Sequence, residues 1–169
     1  TEFCAIVARW APRLNLVAPA DVSRLRERHV DDSLRAAPLL RDVPPGPVID
    51  VGSGAGFPGI PLAIVAPQRH FRLLEPRRAR AAFLEEAVRS LGLGCEVIVM
   101  TAEDAGHDPA LRRSHSLAMA RALAAPARAF ELLDPLTAPG GVSAVFTGER
   151  ASPPHGSEEW ARGLAIVRH

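Results

Sequence analysis

Apolar residues recur along this chain in two rhythms, and the rhythm changes at the stretch Pro44-Pro45-Gly46-Pro47. Before it, hydrophobic positions three and four apart predict helices, one over residues 2–10 that is broken by Pro12 and one over 21–40 with Asp21 as its cap. After it, short apolar runs alternate with amphipathic stretches. Strands are expected at 48–51, 71–75, 96–100, 117–120 and 142–146, with helices at 60–65, 80–91 and 127–136 between them. A polar loop covers 101–113, Pro139-Gly140-Gly141 makes a turn, and a last strand at 164–168 is reached through a loop at 151–157.

Strand–helix units repeated in this way imply parallel strands, because each helix returns the chain across the sheet before the next strand begins. The runs 48–51 and 97–100 are nearly continuous in their apolar character, as strands covered on both faces are. The expectation is a doubly wound, mostly parallel α/β sheet in one domain over 1–169, with a short N-terminal helical part at 1–43 and the sheet core at 44–169. Ligands of open parallel sheets sit beyond the carboxyl ends of the strands. Those ends carry Asp50, Glu75, Thr101-Ala102-Glu103, Arg121 and Thr147.

Composition sharpens this picture at a few points. A chain of 169 residues, 47% hydrophobic, can bury a sheet on both faces. No apolar run approaches the ~20 residues that span a bilayer, and Thr1-Glu2-Phe3-Cys4 lacks the layout of a secretion signal, so a soluble cytoplasmic monomer without a membrane partner is expected. Cys4 and Cys95 form no ligand pair, and neither a disulfide framework nor a metal site is expected. All 20 basic residues are arginine and the net charge is +1, so attraction to nucleic acid would have to arise from local clusters.

The candidate chemistry begins at Val48-Ile49-Asp50-Val51-Gly52-Ser53-Gly54-Ala55-Gly56-Phe57-Pro58-Gly59, a strand followed by glycines where a helix should start. Glycines here permit backbone angles closed to other residues and expose peptide N–H groups to an electron-rich ligand. Gly54, Gly56 and Gly59 fit a dinucleotide fingerprint, with Glu75 near the distance of a ribose-binding acid. A second reading starts at Gly52 and makes Asp50 part of the site. An acid beside the loop would repel a pyrophosphate but suits S-adenosylmethionine, which has an ammonium and a sulfonium and no phosphate. Glu75 suits either ligand, and Glu103 after the third strand suits an adenine contact. Asp50, Gly52, Gly54, Gly56, Glu75 and Glu103 are therefore candidate cofactor contacts, with an NAD(P)-linked oxidoreductase kept as the alternative.

Asn15-Leu16, Arg28-His29-Val30-Asp31-Asp32-Ser33, the stretch Ile49-Asp50-Val51-Gly52 through Gly56-Phe57-Pro58-Gly59-Ile60-Pro61 to Ile64, and Ala120-Arg121-Ala122 together resemble the GidB (RsmG) family. The resemblance covers about 10–146. It implies a Rossmann-like methyltransferase fold, S-adenosylmethionine (AdoMet) as cofactor, and methylation of nitrogen 7 of a guanine in bacterial 16S ribosomal RNA, free or in the assembling small subunit. It also implies cofactor contacts at Gly52, Phe57, Ala102, Glu103 and Arg121, with Glu75 on the ribose. Thr147-Gly148 stands where the family usually has Lys-Gly, which keeps a non-catalytic RNA-binding or assembly protein among the alternatives. Nitrogen 7 carries a free lone pair, so no general base, and hence no particular catalytic residue, is expected. His29 and Asp32, three apart, either brace the helical part or line a substrate mouth with Asn15. Arg24, Arg26 and Arg28 and also Arg77, Arg78 and Arg80 could meet RNA phosphates, or else form solvated helix faces with Glu27, Glu85 and Glu86.

Overall fold

The computed structural model describes residues 1–148 and 152–169, so the start of the expected 151–157 loop lies outside the described residues. Strands β1 (Val48–Val51), β2 (Phe71–Leu74), β3 (Glu96–Ile98), β4 (His115–Arg121), β5 (Thr137–Phe146), β6 (Glu158–Ala161) and β7 (Leu164–Arg168) form one sheet in the order β3-β2-β1-β4-β5-β7-β6. The first five are parallel, and β7 runs antiparallel between β5 and β6. The doubly wound, mostly parallel sheet of the sequence reading is thus present, with the reversal of chain order at β1 and β4. That reversal opens a crevice at the strand ends.

Helices α4 (Gly59–Val65), α5 (Arg78–Ser90), α6 (Ala102–His107) and α7 (Pro126–Leu133) connect the strands. Successive side chains of a strand point to opposite faces. Val48 accordingly joins Leu62, Phe71, Met119 and Ile166 on one face, while Ile49 and Val51 join Ala118, Leu133 and Val145 on the other. A third cluster sets α1 (Glu2–Leu14) against α5 through Phe3, Val7, Phe83 and Leu84.

Several expected boundaries are corrected. The first helix continues through Pro12 to Leu14, although proline removes one helix bond. Burial of Phe3, Ile6, Val7 and Ala11 along one stripe outweighs that loss, and the helix ends at Asn15 in the left-handed conformation (φ 47°), which asparagine tolerates. The expected helix at 21–40 is instead a 3-10 segment (Pro19–Arg24), a π-helical turn (Arg26–Val30), α2 (Asp31–Leu34) and α3 (Leu39–Asp42). Between the last two the bonds tighten to i→i+3 ahead of Pro38, which cannot donate. Asp21 is not a cap: its N–H donates to Ala18 O, and its carboxylate faces Arg28 and His29.

The expected polar loop at 101–113 contains α6, capped by the Thr101 hydroxyl, which accepts from Asp104 N at 3.1 Å. Its buried residues are Ala102, Ala105 and Gly106, too small to mark a helical stripe. Strand β6 was not expected, because Glu158-Glu159-Trp160-Ala161 has an edge strand's polarity. The Pro139-Gly140-Gly141 turn becomes a bulge within β5. Pairing passes from His115–Thr137 to Leu117–Val142, and a Cβ on Gly141 would lie 2.9 Å from the carbonyl oxygens of Ala138 and Ser116.

Two arrangements at the other end of the sheet hold the frame. The Arg69 guanidinium donates to the carbonyls of Leu40 (2.6 Å), Pro44 (2.7 Å), Val43 and Gly46 (both 3.1 Å), tying the helical part to the start of β1. His115 is fully buried, with Nδ1 3.0 Å from Leu136 O and Nε2 3.2 Å from Arg72 Nη1. Its Nδ1–H donates and its Nε2 accepts, so the ring is neutral. Burial first, and then the Arg72 charge, push its pKa down to about 4, against the pull of the Leu136 carbonyl. The unfolded chain binds a proton near pH ~6.5 that the native state refuses, so this contribution is lost as pH falls from ~6.5 to about 4. Urea unfolding at the two pH values should show the native chain losing ~3 kcal/mol more than His115→Gln. An equal loss in both would contradict the assignment.

Candidate cofactor and substrate site

At the end of β1 the chain reverses through Gly52 (φ +74°), Gly54 (φ +53°) and Gly56 (φ +86°), angles that side chains rarely allow. The N–H groups of Gly52 and Ser53 both donate to Leu74 O, at 2.8 and 3.0 Å, and the Ser53 hydroxyl donates to Asp50 O. Two carboxylates fix the turn from opposite sides. Glu75 Oε2 accepts from Gly54 N at 3.0 Å while its Oε1 accepts from Arg77 N at 2.9 Å. Asp50 Oδ2 accepts from Gly59 N at 3.0 Å, at the first residue of α4.

Asp50 is fully buried, and its Oδ1 has no partner. Burial raises its pKa to about 6, partly offset by the Gly59 N–H. It sits beneath the turn, where it anchors α4, and not on the cleft wall. Only glycine fits at 59, since a Cβ there would stand 2.5 Å from Leu73 Cδ2 and 2.7 Å from Asp50 Oδ2. Gly56 also answers to packing, as a Cβ would meet Ile60 Cδ1 at 2.6 Å and Phe3 Cζ at 3.1 Å.

Above the turn lies a cleft of about 610 Å³, walled by Gly52, Gly54, Phe57 and Arg121 and roofed by Leu16 and His29 of the helical part. A second recess of about 270 Å³ shares Gly52 and Ala124 with it and continues over Ala102 and Glu103 at the start of α6. Leu123 stands at the junction: its Cδ1 would be 2.7 Å from a Cβ on Gly52. A side chain at 52 would therefore close the place where the recesses meet. First-turn N–H groups have no carbonyl partner within their helix, so the α6 end of the second recess favours an acceptor. Glu103 is exposed there and ion-paired with Arg128 at 3.4 Å.

Arg121 is the centre of the larger cleft. Its Nη2 donates to His29 Nδ1 at 3.0 Å, its Nη1 meets Asp32 Oδ2 at 3.3 Å, and its Cζ lies 5.2 Å from the Phe57 ring centroid. His29 stacks on the same ring, centroids 5.1 Å apart. Since Arg121 can only donate, His29 must be neutral with its proton on Nε2. That Nε2 lies 3.5 Å from Asp21 Oδ2, within ion-pair range but without hydrogen-bond alignment. Burial first, then the Arg121 charge, hold the His29 pKa below its usual range. His29 and Asp32 thus meet on Arg121 and not on each other, joining the helical part to the end of β4.

The remaining expected residues are dispersed. Asn15 is exposed, and its carbonyl accepts from Arg80 Nη2 at 3.1 Å; it stands beside the cleft, not in its wall. Arg77 and Arg78 are exposed at the start of α5, outside the cleft wall, while Arg80 lines it. Glu75 is 4% exposed, its two oxygens already engaged by the turn. Sequence reasoning missed Arg35 and Leu123. Arg35, three residues after Asp32, bonds that carboxylate and the carbonyl of Arg162. Leu123 carries no local signal, because its position depends on Ala122 adopting φ +55°. Among the described residues, no group of three or more His, Cys, Asp or Glu is placed to hold a metal, and no helix is long and apolar enough to cross a membrane.

A doubly wound sheet with a carboxylate-anchored glycine turn at its switch point defines the class of α/β proteins that hold a nucleoside cofactor over the strand ends. Residues 1–157 match the family model described as GidB, rRNA small subunit methyltransferase G, and the chain belongs to that family. Relatives named "Ribosomal RNA small subunit methyltransferase G" include those of Acidiphilium cryptum, 40% identical over 88% of this chain and 67% of its own length, and Frankia alni, 41% identical over 88% and 56%. The chain thus spans about 56–67% of the length of these relatives. In fold it is similar to a Corynebacterium glutamicum protein (TM-score 0.68, 13% identity, 99% of this chain and 89% of that one). It is likewise similar to a mutant of MtNAS solved with S-adenosylmethionine (TM-score 0.63, 17% identity, 99% and 71%).

The fit around Asp50 carries a direct test. Gly59→Ala should cost ~1–3 kcal/mol in urea unfolding, from the overlap with Leu73 and Asp50. Gly94→Ala, where a Cβ meets nothing within 4 Å, should stay within ~0.5 kcal/mol of the parent. Equal stability of all three chains would contradict the tight anchoring of α4.

Proposed function

We propose that this chain is the catalytic core of an AdoMet-dependent methyltransferase that modifies nitrogen 7 of a guanine in 16S ribosomal RNA. The observation that carries the reading is the pair of recesses meeting at Gly52, in a chain of the GidB family. Gly52 leaves room beside Leu123 that a side chain would fill, and Gly54 presents its main chain to the larger cleft. AdoMet, when bound, supplies an electrophilic methyl group on a cationic sulfur.

The residues of the chain would share the work as follows. The turn at Gly52 and Gly54, with Phe57, holds the amino-acid end. Arg121 offers its fork to the carboxylate, held ready by Asp32 and neutral His29. The adenine side lies over Ala102 and Glu103, and the Leu74–Glu75 strand end approaches the ribose. Glu75 already accepts two main-chain bonds, so a ribose hydroxyl would use a remaining lone pair. Asp50 and Gly56 act indirectly, by setting the turn.

Guanine nitrogen 7 attacks without losing a proton, so the protein's task is alignment, an effect worth up to ~7–11 kcal/mol. A cation against the imidazole half of the purine would oppose the charge that develops there. The fixed position of Arg121 against Phe57, His29 and Asp32 keeps it at the wall. Asn15 and His29 would border the base, while Arg77 and Arg78, outside the cleft wall, would meet the RNA beyond it. An oxidoreductase reading has no comparable support, since Asp50 lies beneath the turn, where a pyrophosphate would be disfavoured, and the chain holds no tyrosine. We place the reaction in the cytoplasm, with one copy as the working unit. Exposed large hydrophobics among the described residues are limited to Ile64, Val65 and Val99.

Labelled methyl transfer to undermethylated small-subunit RNA should be observed, should stop when 7-deazaguanine replaces guanine, and should have a single-turnover rate that is flat from neutral to alkaline pH. Transfer that survives the 7-deaza replacement would overturn the proposal, as would its absence from both free RNA and the assembling subunit. Arg121→Ala should weaken AdoMet or RNA binding more than tenfold in calorimetry and filter binding. Unchanged affinity for both would remove Arg121 from the site.

A further inference from the structure

The arginines near the cleft fall into two groups with opposite charge balance. On the side formed by 21–32, three arginines face four carboxylates. Arg24 pairs with Glu27 at 2.6 Å, Arg28 lies 3.3 Å from Asp21, and Asp32 is taken by Arg35 and Arg121. That side has little positive charge to offer a polyanion.

The opposite side differs. Residues 3–20 and 76–84 contain Arg9, Arg13, Arg77, Arg78 and Arg80, and no acid. Folding brings these segments together, because α1 packs on α5 through Phe3, Val7, Phe83 and Leu84. Arg80 Nη2 donates to Asn15 O, which sets the start of α5 beside the end of α1. Arg13 is exposed, its guanidinium over the Trp10 ring at 5.8 Å, a contact that leaves its charge available. Arg77 and Arg78 are exposed at the start of α5. Glu75, the nearest acid in sequence, is buried and spends its oxygens on Gly54 N and Arg77 N. The first acid within α5, Glu85, follows Arg78 by seven residues, about 10 Å along the helix.

Resting on the methyltransferase reading above, we propose that the RNA backbone flanking the target guanine runs over the seam between α1 and α5. Arg13, Arg77 and Arg78 contact its phosphates, and Arg80 marks where the track enters the cleft. Guanidinium groups match phosphate bidentately, and the acids of α5, Glu85 and Glu86, sit further along the helix than Arg77 and Arg78, with Glu86 paired to Arg89 and drawn to Arg9 of α1. The 21–32 side borders the cleft without carrying the backbone. A track on one side of the opening would present the guanine edge-on past Leu16 and Val17, which line the cleft just beyond Asn15.

Protein-free small-subunit RNA binding, measured between about 50 and 300 mM salt, tests this against AdoMet calorimetry on the same chains. Replacing Arg77→Gln together with Arg78→Gln should leave AdoMet affinity unchanged. It should weaken RNA binding on the order of tenfold and lower the slope of log affinity against log salt by about 1.4, the value for two phosphates of a single strand. Arg24→Gln with Arg28→Gln should shift that slope much less. If the parent chain binds RNA and AdoMet but its slope ignores Arg77 and Arg78, the track is wrong and the methyltransferase reading stands. A parent chain that binds AdoMet but no RNA, free or in the small subunit, overturns both.

Discussion

Two buried carboxylates, each accepting a main-chain N–H, set the shape on which the site depends. Glu75 holds Gly54, and Asp50 holds Gly59, so the turn between β1 and α4 is pinned at both ends before any ligand arrives. The Asp50 anchor comes at a cost, because a fully buried carboxyl with an unpartnered oxygen is raised to about 6. A turn of glycines without such anchors would sample many conformations and lose them on binding. The carboxylates move that ordering into the folding reaction.

Arg121 couples this frame to the helical part. It lies at the end of β4, beside β1 in the sheet, and reaches His29 and Asp32 in the segment that precedes the sheet. His29 lies in the π-helical turn at Arg26–Val30, with its Nδ1 toward Arg121 and its ring stacked on Phe57. Such wide turns are frequent at functional sites, where they aim a side chain that a regular helix would point elsewhere. Arg69, at the other end of the sheet, binds the linker carbonyls and keeps the helical part seated.

Much of the sheet was legible because parallel strands buried on both faces advertise themselves as apolar runs, as at Val48–Val51, but the run at 97–100 misled: β3 is an edge strand, Val97, Ile98 and Met100 are only half-buried and Val99 is exposed. Elements that bury little escaped. Strand β6 has an edge strand's mixed polarity, and α6 packs through Ala102, Ala105 and Gly106. The 21–40 region failed for another reason: its apolar spacing suits a helix, but Pro38 and the Arg121 contacts divide it. At the site, the glycine turn and its two acids were readable, since glycine and a strand-end acid are local signals. The sequence placed Asp50 and Glu75 beside a ligand, whereas in the fold both first serve the turn. Arg35 and Leu123 acquire their places from contacts distant in sequence, which no spacing rule reports.

The central claim is that the turn is rigid by construction, and native-state hydrogen exchange at the Gly54 and Gly59 amides tests it most directly. With no ligand present, both amides should exchange nearly as slowly as those of β1, through opening close to global unfolding. Exchange at the rate of an exposed loop, slowed only when AdoMet is added, would contradict the account and make the ligand, not the carboxylates, the source of order.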